Sequence, residues 1–128
     1  MKQKKLSLSK AKAKAWKAFS LWVRTNGNTK EIVECITCGR EKSYKKLQAG
    51  HFIAGRHNAI LFDERGVHPQ CYACNVVLGG NGVKYYKWML EHYGQKVIDE
   101  LEALDNTTVI YTIEDYQKIE EKYKSLTI

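Results

Sequence analysis

The sequence holds one proline in 128 residues, no internal repeat, and no apolar run approaching the length of a membrane-crossing helix. Its basic N-terminus lacks the apolar stretch that a secretion signal needs. With no export signal or span to read, the expected compartment is the cytosol, where the four cysteines would stay reduced rather than pair as disulfides. Acid is missing from residues 1–30, which hold nine basic residues: Lys2, Lys4, Lys5, Lys10, Lys12, Lys14, Lys17, Arg24 and Lys30. Residues 31–90 carry eight basic and five acidic groups, and residues 91–128 four basic and nine acidic. The net charge of +7 is therefore concentrated in the N-terminal part, and a polyanion is the first partner to consider. An apolar share of 44% and a charged share of 27% are ordinary globular values and exclude a wholly disordered chain. The length suits one compact domain.

From Ser9 onward KAKAKAWKAFSLWVR is rich in helix formers, with Ala15, Phe19 and Trp22 one turn apart. That stripe reads as core packing, and Asn26-Gly27 reads as the helix stop. An irregular β-hairpin is expected over about residues 46–68. VKYYKWMLEHYG and QKVIDELEAL read as helices, with a break at Gly79-Gly80-Asn81-Gly82 before the first. TTVIYT is β-prone, and Thr112 with Asp115 forms a capping box for a last helix.

The cysteines fall in two C-x-x-C pairs, Cys35/Cys38 and Cys71/Cys74. Each pair suits a knuckle turn that directs two sulfurs at one point, and two knuckles make the tetrahedral thiolate site of a structural Zn²⁺. Such an ion adds folding free energy to a small domain. The 32 residues between the pairs exceed those of a compact zinc ribbon, so a substantial hairpin must be inserted. The insert carries His51, Arg56-His57 and His68, and Asn75 follows the last cysteine.

A hairpin histidine between two knuckles, with Asn after the last cysteine, resembles the HNH (ββα-metal) nucleases and, more distantly, phage endonuclease VII. The stretches CITCG, LQAGHFIAGRHNA, LFDERGVHPQCYACN and KYYKWMLEHYG are similar to those of the NinG/Rap recombination endonucleases of lambdoid phages. AWKAFSLWVR looks like that family's opening helix, so the likeness covers roughly residues 12–104. The resemblance implies an α+β fold: a small zinc-stabilised treble-clef HNH core with flanking helices. Residues 1–30 would be a basic arm and helix, 31–94 the zinc-binding core, and 95–128 a helical/β extension.

The implied activity is metal-dependent hydrolysis of DNA phosphodiesters, in branched recombination intermediates such as Holliday junctions and D-loops. His51 would be the general base, since a neutral imidazole with a pKa near about 6.5 takes a proton from water at physiological pH. Asn75 would bind a catalytic Mg²⁺ or Mn²⁺ through its amide oxygen, distinct from the zinc held by Cys35, Cys38, Cys71 and Cys74. HNH nucleases often place Asp or His just before the general base, where this chain has Gly50; the further ligand would come from His57, Asp63 or His68. They also carry a bracing Asn five residues before the third cysteine, where this chain has Gly66. Lys10, Lys12, Lys14, Lys17 and Arg56 are the expected DNA contacts. Three residues bear a second reading: His68 could orient a thiolate or a backbone carbonyl, Asn75 could cap a helix, and His57 could do neither job. Resolving a junction takes two cuts, which admits a homodimer, although no heptad marks an interface. The resemblance implies a phage- or prophage-encoded protein in the bacterial cytoplasm. Two other functions compete: a non-catalytic zinc-finger DNA-binding protein, and an RNA-binding or protein-interaction zinc module.

Overall fold

The structure is a computed structural model that describes residues 6–25 and 31–127. Helix α1 (Leu8–Thr25) opens with the Ser7 hydroxyl accepting the Lys10 amide at 3.2 Å, which satisfies one of the free N–H groups of its first turn. Its buried side holds Ala11, Ala15, Ala18, Phe19 and Val23, so Ala15 and Phe19 of the expected stripe are core while Trp22 is only partly buried against them. The expected stop at Asn26-Gly27 lies outside the described residues, as do Lys2, Lys4, Lys5 and Lys30. The alanines present so little bulk that α5 (Ile113–Leu126) packs directly along α1, with the Phe19 and Tyr123 rings edge to face at 4.8 Å. The Thr112/Asp115 capping box that starts α5 is present in both of its hydrogen bonds.

Between these helices lie two separate antiparallel pairs, so the fold is α+β. Strands β1 (Ile32–Glu34) and β2 (Glu41–Ser43) flank the first cysteine pair. Gly39 turns that knuckle at φ +79°, a backbone conformation glycine adopts without penalty. The Ile36 amide donates to Pro69 O at 3.0 Å, which docks the knuckle on the second pair. That pair is β3 (Leu47–His51) and β4 (Val67–Cys71), so the expected hairpin runs on through Cys71. Residues 52–66 connect its strands and include the short helix α2 (Asn58–Leu61). The register pairs Leu47 with Cys71 and His51 with Val67. By strand alternation Leu47, Ala49 and His51 share one face, and Gln48 and Gly50 the other. A π-helical turn, Ala73–Val77, follows, then the expected break, then α3 (Gly82–His92) and α4 (Gln95–Asp105).

TTVIYT is not a strand. Residues 107–112 form no ladder; Val109 O accepts from the Asn58 side-chain amide at 3.0 Å, and the Tyr111 hydroxyl donates to Asn58 O at 3.2 Å. A tertiary partner for its polar groups replaces the β pairing that local propensity favoured.

Gly50 has a packing reason. A Cβ there would sit 1.8 Å from Gln70 Oε1 and 2.7 Å from Gln70 Cδ. Gln70 cannot swing away cheaply, because it is fully buried and its amide donates to Gly80 O at 2.9 Å and to Thr37 Oγ1 at 3.2 Å. Gly50→Ala should therefore destabilise the protein by about 1–3 kcal/mol in chemical denaturation. A variant as stable as the parent would show that the Gln70 pocket is softer than its packing indicates.

Candidate metal centre and active site

The four sulfurs of Cys35, Cys38, Cys71 and Cys74 lie within 4.8 Å of one another, and all four cysteines are free of disulfides. A tetrahedral zinc with Zn–S bonds of about 2.3 Å requires sulfurs about 3.8 Å apart. The Cys38–Cys71 separation of 3.7 Å meets that, and is far too long for an S–S bond. The cysteines are placed to hold a metal ion such as zinc. Their acidities diverge. Burial opposes ionisation of Cys35, but hydrogen bonds from the Thr37 hydroxyl and from backbone groups outweigh it and hold this thiol at about 6. Cys38 is pushed up to about 12 by burial and by its hydrogen bonds to the other sulfurs. Shared charge of this kind is what a divalent cation relieves.

His51 ends β3 and is partly buried. Its Nε2 lies 3.2 Å from Leu61 O. A carbonyl only accepts, so Nε2 carries the proton and Nδ1 keeps a lone pair. The ring lies on Trp16 of α1 at 5.3 Å and 17°. Burial, and then the Arg56 charge, push His51 below the ordinary imidazole range, against the raising effect of the Leu61 bond. The imidazole is therefore neutral near pH 7. Leu61 O braces the ring from the backbone. Position 66 faces α4: a Cβ there would already lie 3.4 Å from Leu101 Cδ1.

Asn75 sits in the π-helical turn, where its side-chain amide donates to Gln48 Oε1 at 2.7 Å. Asn75 and Arg56 both line a polar hollow of about 320 Å³ against α1, together with Trp16, Ser20, Arg24 and Gln48. Trp16 thus joins His51 to the hollow that holds Asn75 and Arg56. His57 and His68 are directed elsewhere. His57 Nδ1 pairs with Asp105 at 2.7 Å at the end of α4. His68 donates to Arg65 O at 2.8 Å, the backbone-carbonyl role, and lies 4.4 Å from the Trp88 ring beside a different cavity of about 360 Å³. Asp63 is bound by Arg65 at 2.9 Å. Among the described residues, Lys10, Lys14 and Lys17 are exposed along α1, Lys12 is partly so, and none forms an ion pair within the chain.

A model of the NinG family, described as bacteriophage lambda NinG protein, matches residues 1–127. The chain belongs to the NinG family. It is 35% identical over 91 residues to protein ninG of Escherichia phage 933W, and 34% identical over 91 residues to protein ninG of Escherichia phage lambda. Each alignment spans 70% of this chain and 44% of the relative, so less than half of those NinG proteins is represented in the match. The protein ninG of Salmonella phage P22 matches over the same length at 34%. No solved structure matches the chain significantly. Among the described residues, no helix of this NinG-family chain is long and apolar enough to cross a membrane.

Two features of the site escaped the sequence reading. Trp16 lies one position away from the apolar stripe and so is easily taken for core; its i+4 and i+8 neighbours Ser20 and Arg24 were the available signal. Gln70, two residues after His68, carries no readable role in the sequence, and its packing against Gly50 supplies one.

Burial lowers the His68 pKa to about 4, outweighing its bond to Arg65 O. Above about pH 6.5 the folded and unfolded imidazoles are both neutral. As pH falls from there to about 4, only the unfolded chain takes up the proton, so stability falls with pH. The loss should total about 3 kcal/mol and level off below the folded pKa. Denaturation of the wild type and of His68→Gln across this range checks it: the difference between them should carry the slope, and parallel curves would refute it.

Proposed function

We propose that this protein is a DNA endonuclease of the HNH (ββα-metal, treble-clef) type, acting on branched recombination intermediates such as Holliday junctions and D-loops. The observation that carries the reading is His51: a neutral histidine between two cysteine pairs, with Nε2 engaged by Leu61 O and Nδ1 left as a base. In this reading residues 31–94 are the nuclease core, flanked by the basic arm and helix of residues 1–30 and by residues 95–128. His51 Nδ1 takes a proton from a water as its oxygen attacks phosphorus. The bond from phosphorus to the leaving sugar oxygen breaks, and that oxygen takes a proton from solvent. The cysteine-bound metal would tie the knuckle to β4 and so keep the hairpin rigid.

The residues present do not by themselves make a site for the expected catalytic Mg²⁺ or Mn²⁺. Such hard cations favour carboxylate oxygens, and no carboxylate lines the hollow among the described residues. Asp63, His57 and His68, the candidates for a further ligand, are engaged with Arg65, Asp105 and Arg65 O.

The test is incubation of the purified chain, with its zinc content measured on the same sample, with linear, flapped and four-way DNA. Reactions contain Mg²⁺, Mn²⁺ or neither. Nicking that favours branched DNA is expected. Tight junction binding without cutting in either metal would remove the enzyme and leave a non-catalytic zinc-finger DNA-binding protein.

A further inference from the structure

We propose that the hollow between α1 and β3 is a phosphate-binding site for the DNA backbone, in which Arg24 and Arg56 supply the charge and Trp16 holds Arg56 in place. The inference rests on the DNA-binding half of the function proposed above and goes beyond it in assigning Arg24 and Trp16.

Two guanidinium groups line this hollow, and neither has a carboxylate partner among the described residues. Arg65 shows how the same chain treats an arginine that serves the fold. It is clamped by Asp63 at 2.9 Å and by Glu100 at 2.7 Å. Arg24 is instead held by neutral groups: its Nε donates to Ser20 Oγ at 3.1 Å and its Nη1 to Tyr44 O at 3.2 Å. These bonds fix the guanidinium while, among the described residues, its charge stays uncompensated and its Nη2 has no partner. A partly buried cation without a counter-charge is costly, and an arriving anion removes that cost.

Arg56 reaches the hollow by an unusual backbone path. It follows Gly55 at φ +102° and itself adopts φ +51°, a left-handed conformation that a long side chain seldom takes. Its guanidinium makes no hydrogen bond within the described chain and lies 4.4 Å from the centre of the Trp16 ring. Stacking leaves the edge of the guanidinium plane, with all five N–H donors, free for a phosphate. The Ser20 hydroxyl and the Gln48 and Asn75 amides complete a polar wall without a negative charge. Exposed Lys10, Lys14 and Lys17 continue the positive charge along the same helix, which favours a chain of phosphates over a small isolated anion.

The test measures binding of a short fluorescent DNA duplex to the full chain between about 50 and 200 mM salt, without added divalent cation. Arg56→Ala and Arg24→Gln should each reduce the log–log salt slope by about 0.9, and the double variant by about twice that. Trp16→Leu should match Arg56→Ala, and Trp16→Phe should keep most of the slope. Lys118→Ala, which removes a lysine paired with Glu114 on α5, should leave it unchanged. Thermal midpoint and zinc content are measured on every variant; Arg56→Ala removes only an exposed side chain and should fold normally. Unchanged slopes in folded Arg56→Ala and Arg24→Gln overturn the proposal. If the wild type never cuts DNA yet the slopes fall as expected, the phosphate site stands and the nuclease reading falls. If it cuts and the slopes do not change, the reverse holds.

Discussion

Stripping the metal from the four-cysteine site is expected to unfold much of the chain. Cys35, Cys71 and Cys74 are buried with Leu47, and one sulfur cluster joins the β1–β2 knuckle, the end of β4 and the π-helical turn. Without a cation this small cluster has neither a large apolar surface nor a disulfide to hold it. Structural zinc contributes about 10–16 kcal/mol of apparent binding free energy in comparable sites, while whole domains are stable by only about 5–15 kcal/mol. Chelation, or Cys71→Ser, should therefore abolish the cooperative thermal transition, and adding Zn²⁺ back should restore it in the chelated sample alone. Metal analysis should find one zinc per chain. A chelated protein that melts within a few degrees of the untreated one would show that the cysteines are only packing residues.

His51→Ala should lower the rate of DNA cleavage by about 10²–10⁴-fold, the span associated with loss of a positioned general base. Zinc content should be retained, because His51 does not touch the cysteines, and most of the DNA affinity should be, because Arg24 keeps its bonds to Ser20 and Tyr44 O and Arg56 keeps the Trp16 ring. Some stability will be lost with the Trp16 stacking, so a melting curve belongs beside the kinetic one. The pH profile separates base from scaffold. Protonation disables an imidazole base, so the rate falls as pH drops through the His51 pKa. Burial and Arg56 set that pKa below the ordinary value, which places the acid limb below about pH 6.5. Arg56→Ala should move this limb upward. Cleavage that survives in His51→Ala, or an acid limb indifferent to Arg56, would remove His51 as the base.

The parts of the molecule read most readily from the sequence are those decided over a few residues. Two cysteines separated by two residues turn toward one point whatever surrounds them, and the two pairs meet as expected. Thr112 and Asp115 cap α5 through bonds spanning three residues. Local propensity misled at residues 107–112, where the side-chain amide of Asn58, about 50 residues away in sequence, takes the Val109 carbonyl that a strand would have paired. The histidines show the same division. His51, His57 and His68 all lie between the cysteine pairs in sequence, and packing separates His51 on Trp16 from His57 on Asp105 and His68 on Arg65 O.

By itself, then, the sequence determined two cysteine pairs spaced to hold a metal and a basic first helix, because spacing and charge are local or additive, and its motifs carried the resemblance that implied the α+β class and the NinG family. Tertiary structure alone decided why position 50 must be glycine, which histidine stacks on Trp16 beside the hollow, and that Trp16, Arg24 and Arg56 share that hollow with Asn75. Those outcomes depend on side chains from α1, β3, the 52–66 connection and the π-helical turn arriving at one place, and no interval along the chain encodes that meeting.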